Sequence, residues 1–288
     1  MLMKRIAMIG TGVMGASIVK HLLNGGYDVT VYTRTKEKAE PLLALGAAWA
    51  NTPAEAAANQ DAVLTMVGYP QDVEEVYFGT QGIFKTAQQG MYVIDLTTSE
   101  PTLAKTIYEE AKARGMHSFD APVSGGDLGA QQGTLSIMLG GDENQVEAIM
   151  PLLHTFGKNI VYQGTAGAGQ HAKTCNQIVV ASAMIGVCES IAYAKHAGLS
   201  PETVLQSITA GAAGSWALSN LAPRMLAGDD APGFYIKHFV KDMGIALKEC
   251  AQMNLQLPGL QLANKMYNEL VEQGYGDCGT QAIYHYYE

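Results

Sequence analysis

Charge is scarce in this sequence. Of 288 residues only 16% are charged, and the 18 Lys and Arg are outnumbered by 27 Asp and Glu, for a formal net charge of −9. A deficit of cations argues against a broad nucleic-acid footprint, because neutralising phosphates takes concentrated Lys and Arg. Cysteine is sparse too: Cys175, Cys188, Cys250 and Cys278 lie far apart, with no C-x-x-C. Isolated thiols fit a reducing compartment, so a cytoplasmic location is expected. Long apolar runs are missing. The start Met1-Leu2-Met3-Lys4-Arg5 resembles the basic end of a leader, but the apolar run 6–9 stops at Gly10, too short for a signal sequence. The most apolar stretch, 178–188, is cut off by Glu189 and is too short to cross a bilayer, so no membrane partner is expected. The 7 histidines show no H-x₃-H spacing and no G-x-S-x-G elbow exists, so neither a metal site nor a serine nucleophile is expected. What is present is a globular composition, 48% hydrophobic, in a chain long enough for one large or two medium domains.

The first part of the chain alternates short apolar runs with helical patterns. Candidate strands are 5–9, 28–32, 62–66, 92–95, 117–121, 135–139 and 159–162, with helical patterns such as 16–24 and 101–114 between them. Strands alternating with helices imply βαβ units and a mainly parallel sheet. After Gly164 the pattern is helical only: 170–197, 201–209, 216–226, 241–253 and 259–273. Gly198-Leu199-Ser200-Pro201 reads as one helix ending and the next beginning, with Ser at the N-cap and Pro at the first helical position. The expected fold is therefore α/β: a Rossmann-like doubly wound sheet over residues 1–163, then an all-α domain over 164–288.

Three segments carry chemistry. The first is Gly10-Thr11-Gly12-Val13-Met14-Gly15, directly after an apolar strand and opening a helix. In that context Gly10 permits a tight turn, Gly12 lets the backbone approach a pyrophosphate, and Gly15 allows close packing of helix on strand. The free N–H groups and positive dipole end of the helix then face the phosphates. The next strand ends in Thr33-Arg34-Thr35-Lys36, with no acid for a ribose 2′-hydroxyl. Arg34 suits a 2′-phosphate and Thr35 adds a hydroxyl, with Lys36 or Lys38 as further charge; the reading is NADP(H) in preference to NAD(H). The alternative is a solvated basic turn.

The second segment is Asp120-Ala121-Pro122-Val123-Ser124-Gly125-Gly126, where consecutive glycines expose backbone N–H groups and Ser124 adds a hydroxyl, a nest suited to a carboxylate. A plain loop remains the alternative. The third is Gly167-x-Gly169-x-x-x-Lys173-x-x-Asn176, which puts Lys173 and Asn176 on one helix face with small neighbours. A lysine near the domain junction is a candidate for proton exchange with a substrate oxygen, against the alternative of a solvated helix lysine. Further on, Lys237-His238-Phe239-Val240-Lys241-Asp242 opens another helix; Lys241 is a candidate cofactor contact and Asp242 a favourable partner for the helix dipole.

Together these segments resemble the β-hydroxyacid dehydrogenase family, which includes 3-hydroxyisobutyrate dehydrogenase, tartronate semialdehyde reductase and the glyoxylate/succinic semialdehyde reductases. The resemblance covers nearly the whole chain. It rests on the three segments above, on Gly129-Ala130 and Gly133-Thr134-Leu135, and on Lys241-Asp242-Met243-Gly244-Ile245-Ala246-Leu247. It implies Lys173 as catalytic acid/base, Asn176 as the residue that orients substrate, and Ser124, Gly125 and Gly126 as binders of the substrate carboxylate. Met14 would lie near the nicotinamide, with Thr97 and Lys241 also touching cofactor; Phe234 and Asp242 resemble pocket positions. Two segments depart from the family pattern, Met66-Val67-Gly68-Tyr69-Pro70 and Thr97-Thr98-Ser99. Lys173 argues against the related imine reductases, which generally lack it. The resemblance implies hydride transfer between NADP(H) and a short hydroxy acid or semialdehyde carboxylate, in a homodimer or homotetramer. The alternatives are an NAD-dependent 3-hydroxyisobutyrate dehydrogenase and a non-catalytic NADPH-binding oligomeric scaffold.

Overall fold

The computed structural model describes residues 3–288, so Met1 and Leu2 of the leader-like start lie outside it. Strands β1 (Arg5–Ile9), β2 (Asp28–Tyr32), β3 (Ala48–Trp49), β4 (Ala62–Thr65), β5 (Tyr92–Asp95), β6 (His117–Asp120), β7 (Val123–Ser124), β8 (Leu135–Gly141) and β9 (Gly157–Gly164) form one sheet. Its order is β3-β2-β1-β4-β5-β6-β8-β7, with β9 pairing β8. From β3 to β6 every pair is parallel; β8 then runs antiparallel to β6 and β7 and parallel to β9. The chain reverses direction of travel across the sheet between β1 and β4, the point where such folds receive a dinucleotide at the carboxyl ends of the strands.

Alternation along β1 shows why both faces are covered. Ile6 and Met8 join one buried cluster with Ile18, Leu22, Val31, Leu64 and Ile94. Ala7 and Ile9 join another with Val63, Val73, Tyr77, Val93 and Ile107. Successive side chains of a strand point to opposite faces, so a strand buried on both reads as a continuous apolar run.

The structure differs from the sequence expectation at several edges. β3 and β7 are two residues each, too short to show alternation. β8 runs on to Gly141 because glycines fit there: a Cβ on Gly140 would lie 2.6 Å from Asp120 Oδ1, and one on Gly141 2.5 Å from Phe119 Cδ1. The segment 216–226 is two short helices, Trp216–Asn220 and Ala222–Leu226, since Pro223 has no N–H to continue the first ladder. The helix expected from Lys241 begins earlier and spans Ile236–Gln252, which places Lys241 and Asp242 beyond its first turn rather than at its opening.

The chain divides into two compact units, the first ending at Lys173 and the second beginning at Thr174. The expected boundary at 163/164 coincides with the end of β9. Residues just after it remain with the first unit, where Gly167 and Gln170 donate their backbone N–H groups to Asp120. The helix Ala168–His196 has 29 residues, long and apolar enough by composition to cross a membrane, which the shorter run inside it is not. Its Ala181, Met184, Cys188 and Ile191 are nevertheless buried in the second unit's core with Phe239, Met243, Leu260, Met266 and Tyr267, as in a core helix.

Candidate active site

The first glycine turn is limited by space at two of its three glycines. Gly10 has φ +98°, and a Cβ there would sit 2.1 Å from the Met66 carbonyl oxygen. A Cβ on Gly15 would sit 2.0 Å from the Gly10 carbonyl oxygen. Gly12 differs, with nothing within 4 Å of where its Cβ would be. It is the N-cap of the helix Val13–Asn24 and supplies no side chain to cap that helix. Val13 is exposed, Met14 is half-buried, and the Thr11 hydroxyl is buried with no hydrogen-bond partner in the protein. An open Cα, a helix start without a side-chain cap and an orphaned hydroxyl fit the pyrophosphate of a dinucleotide.

At the end of β2 the Arg34 side chain is 82% exposed and pairs with Asp72, Nη1 to Oδ1 3.2 Å. The other Asp72 oxygen accepts the Tyr69 N–H at 3.1 Å, in the first turn of the helix Pro70–Phe78. The atypical Gly68-Tyr69-Pro70 stretch is thus a helix start, and it brings an acid beside Arg34 from another element. Thr35 precedes the short helical turn Lys36–Lys38. Lys36 Nζ lies 5.5 Å from the centre of a Trp49 ring.

At the carboxyl ends of β4 and β5, Thr97 Oγ1 accepts the Val67 N–H at 3.1 Å. The Thr97 N–H donates to Asp95 Oδ1 at 3.0 Å, and the Thr65 hydroxyl donates to the same oxygen at 2.7 Å. Tyr77 Oη lies 3.3 Å from that hydroxyl. Burial pushes the Asp95 carboxyl up to about 6, against the pull of these donors.

The second glycine turn is limited by conformation. Gly125 has φ +131° and Gly126 φ +62°, and the helix Gly126–Gln132 follows. Val123 and Ser124 pair with Ile137 and Ser136 of β8, which fixes the strand leading into the turn. Lys173 is 7% exposed, and its Nζ donates to the Val123 carbonyl at 2.9 Å, one residue before Ser124. Asp120 holds the start of the lysine's helix: Oδ1 accepts from Gly167 N and Oδ2 from Gln170 N, both at 2.8 Å. Burial pushes the Asp120 carboxyl up, while these amide donors pull it down. Gly169 lets the helix approach, since its Cβ would lie 2.3 Å from the Met138 carbonyl oxygen.

Asn176, Phe234, Lys241 and Asp242 belong to the second unit. There Asn176 Nδ2 donates to Gln177 Oε1 at 2.7 Å, and Gln177 Nε2 donates to Asp242 Oδ2 at 2.6 Å. Lys241 Nζ lies 3.0 Å from Asp242 Oδ1, so a buried acid joins Asn176 to Lys241 through Gln177. Phe234 stacks at a tilt on Phe239, ring centres 5.7 Å apart. Among the described residues no group of three or more His, Cys, Asp or Glu is placed to hold a metal ion. Asp72, Asp95 and Asp120 are the site's acids that the sequence reading did not single out as site residues. Their only signal is position, at a strand end or in the first turn of a helix.

Comparison with known proteins identifies the family of both parts of the chain. Residues 5–164 match the model for the NAD binding domain of 6-phosphogluconate dehydrogenase. Residues 167–287 match that for the NAD-binding domain of NADP-dependent 3-hydroxyisobutyrate dehydrogenase. An uncharacterized oxidoreductase of Bacillus subtilis is 58% identical over 98% of each chain. A probable 3-hydroxyisobutyrate dehydrogenase-like mitochondrial protein of Arabidopsis thaliana is 48% identical, over 97% of this chain and 84% of that one. A solved Mycobacterium tuberculosis 3-hydroxyisobutyrate dehydrogenase with L-serine superposes with a TM-score of 0.90 at 31% identity, covering 98% of both chains. With both parts matched and full-length relatives at this identity, the chain is an oxidoreductase that belongs to the NAD(P)-dependent β-hydroxyacid dehydrogenase family.

Proposed function

We propose that this protein transfers a hydride between NADP(H) and a short carboxylic acid that carries a hydroxyl or an aldehyde, with Lys173 moving the proton. The observation that carries this reading is the 2.9 Å hydrogen bond from Lys173 Nζ to the Val123 carbonyl. It holds the only side-chain ammonium of that helix's first turns next to Ser124, Gly125 and Gly126, whose N–H groups and hydroxyl suit a carboxylate. The nicotinamide, when bound, takes or gives the hydride. In reduction, Lys173 gives a proton to the substrate carbonyl oxygen, and its charge stabilises the alkoxide that develops there. In oxidation, the neutral amine takes the hydroxyl proton. Asn176, three positions on along the same helix, is assigned to orienting the substrate, and Phe234 and Asp242 keep the substrate-binding role that the family resemblance implies. Thr97, Lys241 and Met14 contact cofactor.

The preference for NADP(H) rests on Arg34, whose exposed guanidinium suits a 2′-phosphate by its charge and planar fork. Asp72 favours a second reading, acceptance of NAD(H), because a carboxylate beside Arg34 can accept the ribose 2′-hydroxyl. The substrate class is that of 3-hydroxyisobutyrate, tartronate semialdehyde, glyoxylate and succinic semialdehyde. The L-serine in the mycobacterial relative is, like 3-hydroxyisobutyrate, a short 3-hydroxy acid.

One experiment tests the reading: reduction of a panel of small semialdehydes and glyoxylate, and oxidation of 3-hydroxy acids, with both cofactors. Lys173→Ala lowers kcat by about 10²–10⁴ while NADPH binding, followed by fluorescence, stays near normal. Lys173→Arg is nearly as poor, since a guanidinium does not cycle a proton. Arg34→Ala costs about tenfold in kcat/KM with NADPH and little with NADH. No turnover of any panel member by the wild type points to a cofactor-binding scaffold. Higher kcat/KM with NADH than with NADPH removes the cofactor preference.

A further inference from the structure

We infer that Gln170 is a positioning residue that fastens the β5 loop, which carries Thr97, to the helix that carries Lys173, and so sets the proton donor against the cofactor site. This rests on the reading of Lys173 as the proton-transfer group. Gln170 is 1% exposed. Its Oε1 accepts the Ser99 N–H at 2.9 Å, and its Nε2 donates to the Thr97 carbonyl at 2.7 Å. Both ends of one amide are thus used on the two backbone groups that flank Thr98. A primary amide suits this because it carries an acceptor and a donor side by side. Glutamate, the same size, has two acceptors and no donor when ionised.

The fastening reaches further at each end. On the loop side, Thr97 Oγ1 accepts from Val67 N, and Thr97 N donates to Asp95. The carboxyl ends of β4 and β5 are therefore bound into the same network. On the helix side, the Gln170 N–H donates to Asp120 Oδ2, and Lys173 lies three positions on, a neighbour on the helix surface. Lys173 Nζ in turn donates to Val123. One side chain connects the loop that carries Thr97 to the helix that carries the lysine, and through the lysine to the turn after Val123. Loss of the amide leaves a buried carbonyl and a buried N–H without partners, and the loop is then free to shift relative to Lys173.

The test compares Gln170→Glu and Gln170→Met with wild type by three measurements: steady-state kinetics, NADPH fluorescence titration, and hydrogen–deuterium exchange of the segment 97–103 without cofactor. At pH 8 the ionised carboxylate of Gln170→Glu faces the Thr97 carbonyl. The segment then exchanges faster, kcat falls by about 10–100-fold and the NADPH Kd rises by about 3–10-fold. At about pH 6 a buried carboxylic acid regains its proton and donates to Thr97, so kcat relative to wild type recovers. Gln170→Met loses the same activity and shows no recovery at any pH. Asp95, Asp120 and Lys173 are the ionisable groups that bear on this network, and taking each variant relative to wild type at every pH removes their shared contribution.

Wild-type exchange in 97–103 together with kcat within about threefold of wild type in Gln170→Met overturns the inference. So does a Gln170→Glu defect with no pH dependence while the variant remains folded by circular dichroism. Full activity in Lys173→Ala is a different result: it removes the lysine from the mechanism, while the exchange measurement still reports on the fastening.

Discussion

Two glycine-bearing turns dominate the first unit, and glycine serves a different need in each. At Gly10 and Gly15 the need is room: a Cβ would strike a backbone carbonyl oxygen at 2.1 Å or 2.0 Å. Backbone atoms cannot rotate aside as a side-chain end can, so the floor of the cofactor turn is rigid. At Gly125 the need is conformation: φ is +131°, while the nearest atom to a Cβ is the Leu135 Cδ2 methyl at 3.3 Å, which has somewhere to go. The cofactor turn is thus set by packing between strands, and the anion turn by the torsions of its own backbone. A bound dinucleotide needs a surface that keeps its shape. The second turn takes its shape from its own torsions, on a strand that pairs with β8, with Lys173 held at the Val123 carbonyl one residue upstream of Ser124.

The sharpest break of this contrast is Gly10→Ala. It meets both a clash and a strained φ, and should cost about 2–4 kcal/mol of stability by denaturant unfolding. NADPH binding falls with it. Gly12→Ala serves as the control, because nothing lies within 4 Å of its Cβ: its stability stays near wild type, and its cofactor affinity alone falls. Gly10→Ala with unchanged stability would show that the floor yields.

Gly125→Ala ranks next. Its backbone strain amounts to about 1–3 kcal/mol, and the variant relieves that strain by moving the turn. Substrate KM should rise about tenfold or more, with the NADPH Kd unchanged, as read by kinetics and by fluorescence. A matching loss of NADPH affinity would mean that the two turns are not separately held.

The smallest effect concerns Asp95, which anchors Thr65 and Thr97 next to the Met66 carbonyl under Gly10. Burial lifts its carboxyl from the ordinary 3.8 to about 6 in the folded protein, so between those values the folded protein binds more protons than the unfolded chain. Asp95 therefore adds stability as pH falls through 6 towards 4, and loses that contribution as pH rises through 6. Between pH 8 and pH 5 the change is about 1 kcal/mol, and Asp95→Asn should remove it. Asp120 shifts in the same direction and remains in the variant, so the difference between the two unfolding curves reports Asp95 together with its charge interaction with Asp120. Identical pH dependence in the two proteins would place the titration elsewhere.

Much of the fold was legible because helices and strands have periods. The parallel sheet, the later helices and the restart at Ser200-Pro201 all follow from apolar spacing and caps. The misses were the two-residue strands, too short for a period, and the break at Leu221, where Pro223 overrides an apolar pattern that runs through it. The first compact unit runs on past β9 to Lys173, and there two backbone N–H groups bond a carboxylate on β6, contacts between residues 47 and 50 positions apart that no local pattern announces.

The sequence by itself determined where a glycine turn opens a helix after β1, which cation stands at the end of β2, and which lysine follows the Gly167-x-Gly169 segment. Those features depend on glycine spacing and residue type within a few positions, and such local requirements leave a mark in the residues themselves. Only the tertiary structure decided that Asp72 stands beside Arg34, that Lys173 is held by Val123, and that Gln170 bridges Thr97 and Ser99. The partners are 38, 50 and 73 or 71 residues apart. In the last two cases the partner groups are backbone amides and carbonyls, which almost every residue carries, so no pattern of side chains announces them.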